Sequence, residues 1–497
     1  MLVQGSIPES VRPYFFGGRL VALLKKDGGV RPITVGLSLR RLASKLVCAH
    51  ATGLLSSSFS PLQVGVGVAG GVEAAVHATR TFALSLSPSE VLVKLDFVNA
   101  FNSVRRDILL EKAASLIPEA YAYVKAAYAE NTYLGYEGHM ILSAEGVQQG
   151  DPLGPLLFCM SIHSLLLDSK CVFKIGYLDD ITLGGEIETV AQEVEALSLS
   201  ASTIGLSLSQ SKCELISAAP ISTVPFELES FQRVSVSEAS MLGAPLSEGK
   251  ALDTIWAKHK AALERAASRL KLLNSHDALV ILKNALSLPK LLFHLRCTFS
   301  GKHPTLALLD EELKSMLCQI LNVDLDDRQW DQASLPVKCG GLGIRKPTHV
   351  APSAFLASVA GTSSLVSSIL SHRQCLVVYQ GETDALTMWS TLGGGTPPSG
   401  PFAATQKCWD AAIIKVVVDR LLADAPDDYT KARLLAVSAP HAGDWLNAPP
   451  MSAIGLRMSN EAVRVATGLS LGANLCSPHT CRCSVAVDAR GSHGLSC

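Results

Sequence analysis

The chain has 497 residues, 48% of them hydrophobic and 18% charged, with 43 Lys and Arg set against 44 Asp and Glu for a formal net charge of −1. That length and balance fit roughly two to four domains with well-filled cores and exclude a disordered chain; near-neutrality also excludes a uniformly basic coat for nucleic acid, so any phosphate-binding surface has to be local. An odd total of 13 Cys fits reduced intracellular thiols, Glu9 and Arg12 interrupt any cleavable leader, and no apolar run reaches the roughly 18 residues of a membrane span, so a soluble protein of the nucleus or cytoplasm, or both, is expected with no membrane partner.

In chain order, the first predicted element is a hairpin at Lys25-Lys26-Asp27-Gly28-Gly29-Val30-Arg31, where a Gly-Gly turn flanked by cations makes a mobile positive clamp. Val91 to Leu95 is a short β-rich run that delivers Asp96 to a strand end, and the chain then turns into a helical segment over Val104 to Ala114. Glu145 to Pro155 is too rich in Gly and Pro for a regular element and reads as a ligand-facing loop, with Gly150 and Gly154 permitting close backbone approach before a buried helix over Leu156 to Leu167. Next comes Tyr177-Leu178-Asp179-Asp180 between Phe173, Ile175 and Ile181, Leu183, a hairpin with adjacent carboxylates at its tip. Like charges in contact cost free energy unless a cation neutralises them. Nucleotidyl transfer by two Mg²⁺ held about 3.5–4 Å apart needs carboxylates converging from separate strands, and Asp96, Asp179 and Asp180 supply that set.

The order of these elements resembles the reverse transcriptases of non-LTR (LINE-type) retrotransposons. Leu95-Asp96 to Phe101-Asn102 looks like their motif A, Gln148-Gln149-Gly150-Asp151-Pro152-Leu153-Gly154-Pro155 like motif B and Tyr177-Leu178-Asp179-Asp180 like motif C. Gly205-Leu206-Ser207-Leu208 with Lys212-Cys213-Glu214 is similar to motif D, and Leu242-Gly243-Ala244-Pro245 to the primer-grip hairpin of motif E. Viral RNA-templated RNA polymerases usually carry Gly-Asp-Asp at motif C, so Tyr-Leu-Asp-Asp favours a DNA product. The resemblance implies RNA-directed DNA synthesis from dNTPs onto a DNA primer, with Asp96, Asp179, Asp180 and the Phe97 carbonyl holding Mg²⁺ (or Mn²⁺) and an RNA template and RNA–DNA duplex as partners. It implies triphosphate contacts from Lys25, Lys26 and Arg31, with Arg40-Arg41 in the same basic segment. Phe101 would exclude the ribose 2′-hydroxyl, Gln149 and Gly150 would place template and nucleotide, and Lys212 is a candidate proton donor to pyrophosphate. Pro61 to Gly67, leading to Gly71, resembles a template-contacting fingers segment.

Further along, Lys258, Lys260, Arg265, Arg269 and Lys271 accompany apolar Ile255, Leu263, Ala266, Leu270 and Leu273 at helical spacing, a basic amphipathic helix suited to a primer–template backbone. Trp330 to Pro336 and Gly340-Gly341-Leu342-Gly343-Ile344-Arg345 resemble the segment that follows the thumb. Residues 359–405, with Gly393 to Pro401 at their centre, read as a linker. Cys476, Cys481, Cys483, His493 and Cys497 crowd the last stretch; Cys481, Cys483, His493 and Cys497 form a CCHC set for a Zn²⁺, with Cys476 as an alternative ligand. The set looks like the zinc knuckle that follows the polymerase in some of these elements.

The expected fold is therefore α+β, a right-hand polymerase with an antiparallel palm sheet, a helical C-terminal extension and a small zinc module. Fingers are expected over residues 1–90, palm over 91–247 with an inserted fingers segment at about 103–145, thumb and post-thumb helices over 248–358, a helical extension over 406–470 and the zinc knuckle over 471–497. The alternative is a truncated or host-adopted relative that binds RNA without polymerising, consistent with fingers that start near Met1 and the lack of an endonuclease segment. Oligomeric state, template preference and insertion site are not legible.

Overall fold

The computed structural model describes residues 2–25, 28–373, 379–495 and 497. The chain divides into two compact units, Met1–Leu242 with Thr362–Val377, and Gly243–Gly361 with Val378–Cys497.

The first unit is built on a five-stranded sheet of β3 (Glu90–Leu95), β6 (Phe173–Tyr177), β7 (Asp180–Glu186), β8 (Glu214–Ser217) and β9 (Gln232–Ser235), in the order β6-β7-β3-β8-β9. The first four strands pair antiparallel as expected, whereas β9 joins β8 in parallel. Val91, Leu92, Val93 and Leu95 are all buried, a continuous apolar run of the kind a central strand needs when both its faces are covered. The helix Gly154–Asp168 lies where the apolar stretch predicts it and buries Leu156, Leu157, Phe158, Met160 and Ile162. The helix predicted over Val104 to Ala114 appears as two, Ala100–Ser103 and Arg106–Leu116.

A second, four-stranded sheet joins β1 (Gly18–Leu24), β2 (Val30–Gly36), β4 (Thr132–Tyr136) and β5 (His139–Ser143) in the order β2-β1-β4-β5, so a segment near residue 20 and one near residue 134 share a sheet. The return segment is tied back by Arg373, whose guanidinium donates to both oxygens of Glu90 at 2.6 and 2.9 Å and lies over the Phe82 ring.

The second unit is helical. Its basic helix, Lys250–Leu270, turns Leu252, Trp256, Leu263 and Leu270 inward, so Trp256 rather than Ile255 carries the seam, and Leu273 is exposed. Lys258, Arg265, Arg269 and Lys271 remain on the outside. The linker expected over 359–405 is corrected in part: the helix Pro347–Ile369 runs into it, and the helix Gln380–Thr391 within it buries Gly381, Ala385 and Trp389. Those three positions follow helical spacing, a signal outweighed in the sequence by the surrounding Ser, Thr, Gly and Pro. Trp389 donates its indole N–H to the Trp409 carbonyl at 3.0 Å inside a cluster with Phe299 and Phe355. Two helical stretches, Ser275–Cys297 and Pro347–Ile369, reach the length and mean hydropathy (1.4 and 1.3) of a membrane span, against expectation. Leu279, Leu282, Leu291 and Leu295 of the first, and Val350, Ala351 and Ala354 of the second, are packed into the unit's core.

Candidate active site and metal centres

The strand register brings the predicted carboxylates together. β3 pairs with β7 through Leu95↔Ile181, and β6 pairs with β7 through Tyr177↔Asp180, so Asp96 leaves β3 beside the tip that carries Asp179 and Asp180. Burial raises the proton affinity of Asp179; Asp96 raises it further and Arg31 opposes the shift. Much of the Asp180 side chain is exposed, yet the protein mass around its carboxyl pushes its pKa up to about 6, with Asp179, Asp96 and Glu214 adding to the shift and Lys94 opposing it. Carboxylates that resist ionisation because they are buried, and secondarily because of one another, are a site in want of a cation, and the donor set is hard oxygen, which suits Mg²⁺.

Beneath them, Asp96 N–H points at the Cys213 thiol (3.4 Å), while Ser209 N–H donates to the Asp96 carbonyl at 2.8 Å. Phe97 is bridged to Leu208, so the motif D strand end holds the expected carbonyl ligand in place. Lys212 is exposed one residue before Cys213, close in the chain to this support. Phe101 is half-buried and stacks on Phe158 of the helix Gly154–Asp168 at 4.4 Å, which fixes the orientation of its ring.

The Gln-Gly loop has two roles, one of them unforeseen. Gln149 donates its side-chain amide to Asn102 Oδ1 at 2.7 Å, and its carbonyl accepts from Thr34 N–H of β2 at 2.7 Å. Gly150 has φ +110, and a Cβ there would sit 2.4 Å from the Thr34 carbonyl oxygen, so the glycine accommodates this chain's own β2 strand rather than a ligand alone. Arg40, grouped with the triphosphate-gripping cations by sequence, is buried and committed: it donates to Asp151 Oδ2 at 2.9 Å and Gln148 Oε1 at 2.6 Å, and Tyr128 adds its hydroxyl to the same carboxylate at 2.7 Å. A buried guanidinium matched this way holds the loop to the helix Ser38–Phe59 that carries Arg40, and is not available to substrate. Arg31 is exposed and Lys25 half-buried, at the turn end of the β1–β2 hairpin; Lys26 lies outside the described residues.

The Pro61 to Gly67 segment carries a contact that the sequence does not announce. Gln63 is fully buried and faces the carboxylate hairpin: its Nε2 donates to the Leu178 carbonyl at 3.1 Å and its Oε1 accepts from Leu178 N–H at 2.9 Å. Leu178 has φ +57, a left-handed conformation that costs a non-glycine residue about 1–3 kcal/mol, of the same order as two hydrogen bonds at about 1 kcal/mol each. No signal in the sequence joins a Gln to a turn 115 positions away.

Among the described residues, Cys481, Cys483, His493 and Cys497 form a group of potential ligands whose donor atoms all lie within 4.8 Å of one another. Cys481 Sγ is 3.6 Å from Cys497 Sγ, and Cys497 Sγ is 3.7 Å from Cys483 Sγ. Those edges match a tetrahedron of Zn–S bonds of about 2.3 Å, whose edge is about 3.7 Å; the Cys483–His493 pair at 3.0 Å is tighter. The backbone N–H of Cys483, followed by its thiol, holds the Cys481 pKa down at about 6, favouring the thiolate a metal requires. Cys476 is not a member: its thiol points at the Asp488 carbonyl, 3.3 Å away, which removes it as the alternative ligand.

The chain is similar to several known proteins. The profile described as reverse transcriptase (RNA-dependent DNA polymerase) matches residues 23–246. The retrotransposable element SLACS 132 kDa protein of Trypanosoma brucei gambiense is 28% identical over 394 residues, covering 76% of this chain; the chain spans only 31% of that relative's length. Among solved structures, the telomerase of Candida albicans, determined with a fragment of telomeric RNA, aligns at 11% identity with a TM-score of 0.41, covering 87% of this chain and 66% of that one. A Sicinivirus RNA-dependent RNA polymerase aligns at 13% identity and a TM-score of 0.34, covering 64% of this chain and 66% of its own. The matched residues contain the hairpin cations, the Gln-Gly loop and all three aspartates, so residues 23–246 are similar in sequence to reverse transcriptases, and the chain as a whole to a protein of a retrotransposable element.

Proposed function

We propose that the chain is an RNA-directed DNA polymerase of a non-LTR retrotransposon, extending a DNA primer on an RNA template. The observation that supports this most strongly is the meeting of Asp96 with Asp179 and Asp180 at one end of the sheet, where Asp179 and Asp180 hold their protons more tightly than isolated carboxylates do. Asp96, Asp179, Asp180 and the Phe97 carbonyl would hold Mg²⁺ or Mn²⁺. When bound, the metal pair activates a primer 3′-hydroxyl and neutralises charge on the departing pyrophosphate.

The protein's own groups do the rest. Arg31, whose charge already reaches Asp179, would meet the triphosphate together with Lys25 and Lys26. Phe101, braced on Phe158, presents a fixed ring that a ribose 2′-hydroxyl would strike. Gln149 and Gly150 place template and nucleotide at a loop stitched to β2, and Lys212 serves as proton donor to pyrophosphate. The exposed cations of the helix Lys250–Leu270 would follow the duplex backbone as a thumb, and Cys481, Cys483, His493 and Cys497 would hold a structural Zn²⁺.

Primer extension with Mg²⁺ on matched RNA and DNA templates tests the reading. Template-directed dNTP incorporation on RNA supports it; duplex binding without incorporation on either template would leave the binding-only alternative.

A further inference from the structure

Gln63 is joined to the carboxylate turn by more than its side chain. Gly176 N–H donates to the Leu62 carbonyl at 2.7 Å and Val64 N–H to the Gly176 carbonyl at 2.9 Å, so residues 62–64 run along β6 and stop at its tip. There the Gln63 amide spends its donor and its acceptor on the single residue Leu178, and Oε1 accepts a second bond from Gly65 N–H at 3.1 Å. A Cβ at Gly65 would lie 2.6 Å from Leu178 N, so glycine is what lets the two backbones approach. The turn itself is a two-residue loop, Leu178-Asp179, between the paired Tyr177 and Asp180. Positive φ falls on its first position, Leu178, a place in two-residue hairpins that glycine ordinarily takes.

A leucine held left-handed at that place needs something to keep it there, and Asp179 is the next residue, so its carboxylate points wherever the Leu178 peptide units allow. From this geometry we infer that Gln63 is a positioning residue for the catalytic metals: it clamps the peptide groups of Leu178 and thereby fixes the direction of Asp179 towards Asp96 and Asp180. Gln63 touches neither metal nor substrate. Its role resembles that of outer-sphere groups that orient metal ligands, whose loss typically costs about 10–100-fold in metal affinity or activity. The inference rests on the aspartates being a metal site, as the proposed function has it.

The test uses the full chain with its C-terminal cluster loaded with zinc, so that added Mn²⁺ reports on the aspartates. Mn²⁺ binding followed by electron paramagnetic resonance is compared for wild type, Gln63→Met, Asp179→Asn and Val64→Ala. Gln63→Met keeps the side chain's length while removing both hydrogen bonds to Leu178 and the one from Gly65; Val64→Ala disturbs the same buried segment but leaves the clamp. Gln63→Met should weaken Mn²⁺ binding and lower kcat by about 10–100-fold while KM for dNTP and duplex affinity stay within about twofold, and Val64→Ala should bind Mn²⁺ as wild type does. Should Gln63→Met not fold, Gln63→Asn, one methylene short of the turn, should show the same loss in smaller measure. Mn²⁺ affinity within about twofold of wild type in a folded Gln63 variant would overturn the clamp. Failure of the wild-type chain to extend a primer would reject the polymerase reading, yet the Mn²⁺ comparison would still decide the clamp. No Mn²⁺ bound by wild type would overturn both.

Discussion

The aspartates at the ends of β3 and β6 stand on strands whose side chains fill a large apolar core, whereas Cys481, Cys483, His493 and Cys497 stand on a segment with one short strand pair, His479–Thr480 with Ala486–Val487, and Val487 as its buried apolar side chain. The fold therefore assembles the first site before any metal arrives, and it does so against the burial, and secondarily the neighbouring carboxylates, that raise the Asp179 and Asp180 pKa values. At the second, local turns bring the ligands within reach and the metal has to supply the cohesion that a core would give. Losing the metal should thus cost the first site its chemistry and the second its structure.

The sharpest way to break this contrast is at the carboxylates. Asp96→Asn or Asp179→Asn should lower extension by at least about a thousandfold, because charge stabilisation in the transition state goes, while primer–template affinity measured by a filter or polarisation assay stays close to wild type. Turnover retained in either variant would remove those groups from the reaction. At the other end, Cys483→Ser should release the bound zinc, seen by elemental analysis, and raise hydrogen exchange in residues 476–497 while that of β3, β6 and β7 holds; matched loss in both regions would show that the zinc segment also supports the sheet.

Two further predictions sharpen the account of the first site. Because Asp180 has to lose a proton to take a metal, and its pKa stands at about 6, apparent Mg²⁺ affinity should fall as pH drops through about 6, by up to about tenfold per unit. The same raised value means that between about 4 and 6 the folded chain binds a proton that the unfolded chain does not. Without metal, stability should therefore decline as pH rises across that window, and added Mg²⁺ should restore it, as melting curves at several pH values would show. A smaller effect concerns the sugar: Phe101→Ala should raise ribonucleotide use relative to deoxyribonucleotide by about 10–200-fold at some cost in rate, measured as the ratio of kcat/KM values. Unchanged discrimination would leave Phe101 with its packing on Phe158 alone.

What the sequence shows of this molecule follows the distance over which each feature is decided. Asp96, Asp179 and Asp180 are legible because their chemistry has no packing excuse, and the central strand and the helix Gly154–Asp168 because their apolar runs are long. Cys481 and its partners are legible by density, though only the thiol's turn towards the Asp488 carbonyl excludes Cys476. Arg40 misleads because a cation beside a basic hairpin looks like a substrate contact until its pairing with Asp151 and Gln148 is seen. Gln63 is invisible because its importance depends on a left-handed Leu178 in a distant turn, and backbone conformation of that kind leaves no periodicity. The misread linker shows composition overriding a helical spacing of three residues, Gly381, Ala385 and Trp389.

The central claim, that polymerisation depends on the aspartates and not on the zinc segment, is tested most directly by stripping all metal with a chelator and returning ions one at a time to a primer–RNA template assay with dNTPs. The account predicts that Mg²⁺ alone restores extension to near its original rate while Zn²⁺ alone restores none. Extension that stays absent with Mg²⁺, or returns only when Zn²⁺ is supplied as well, would contradict it.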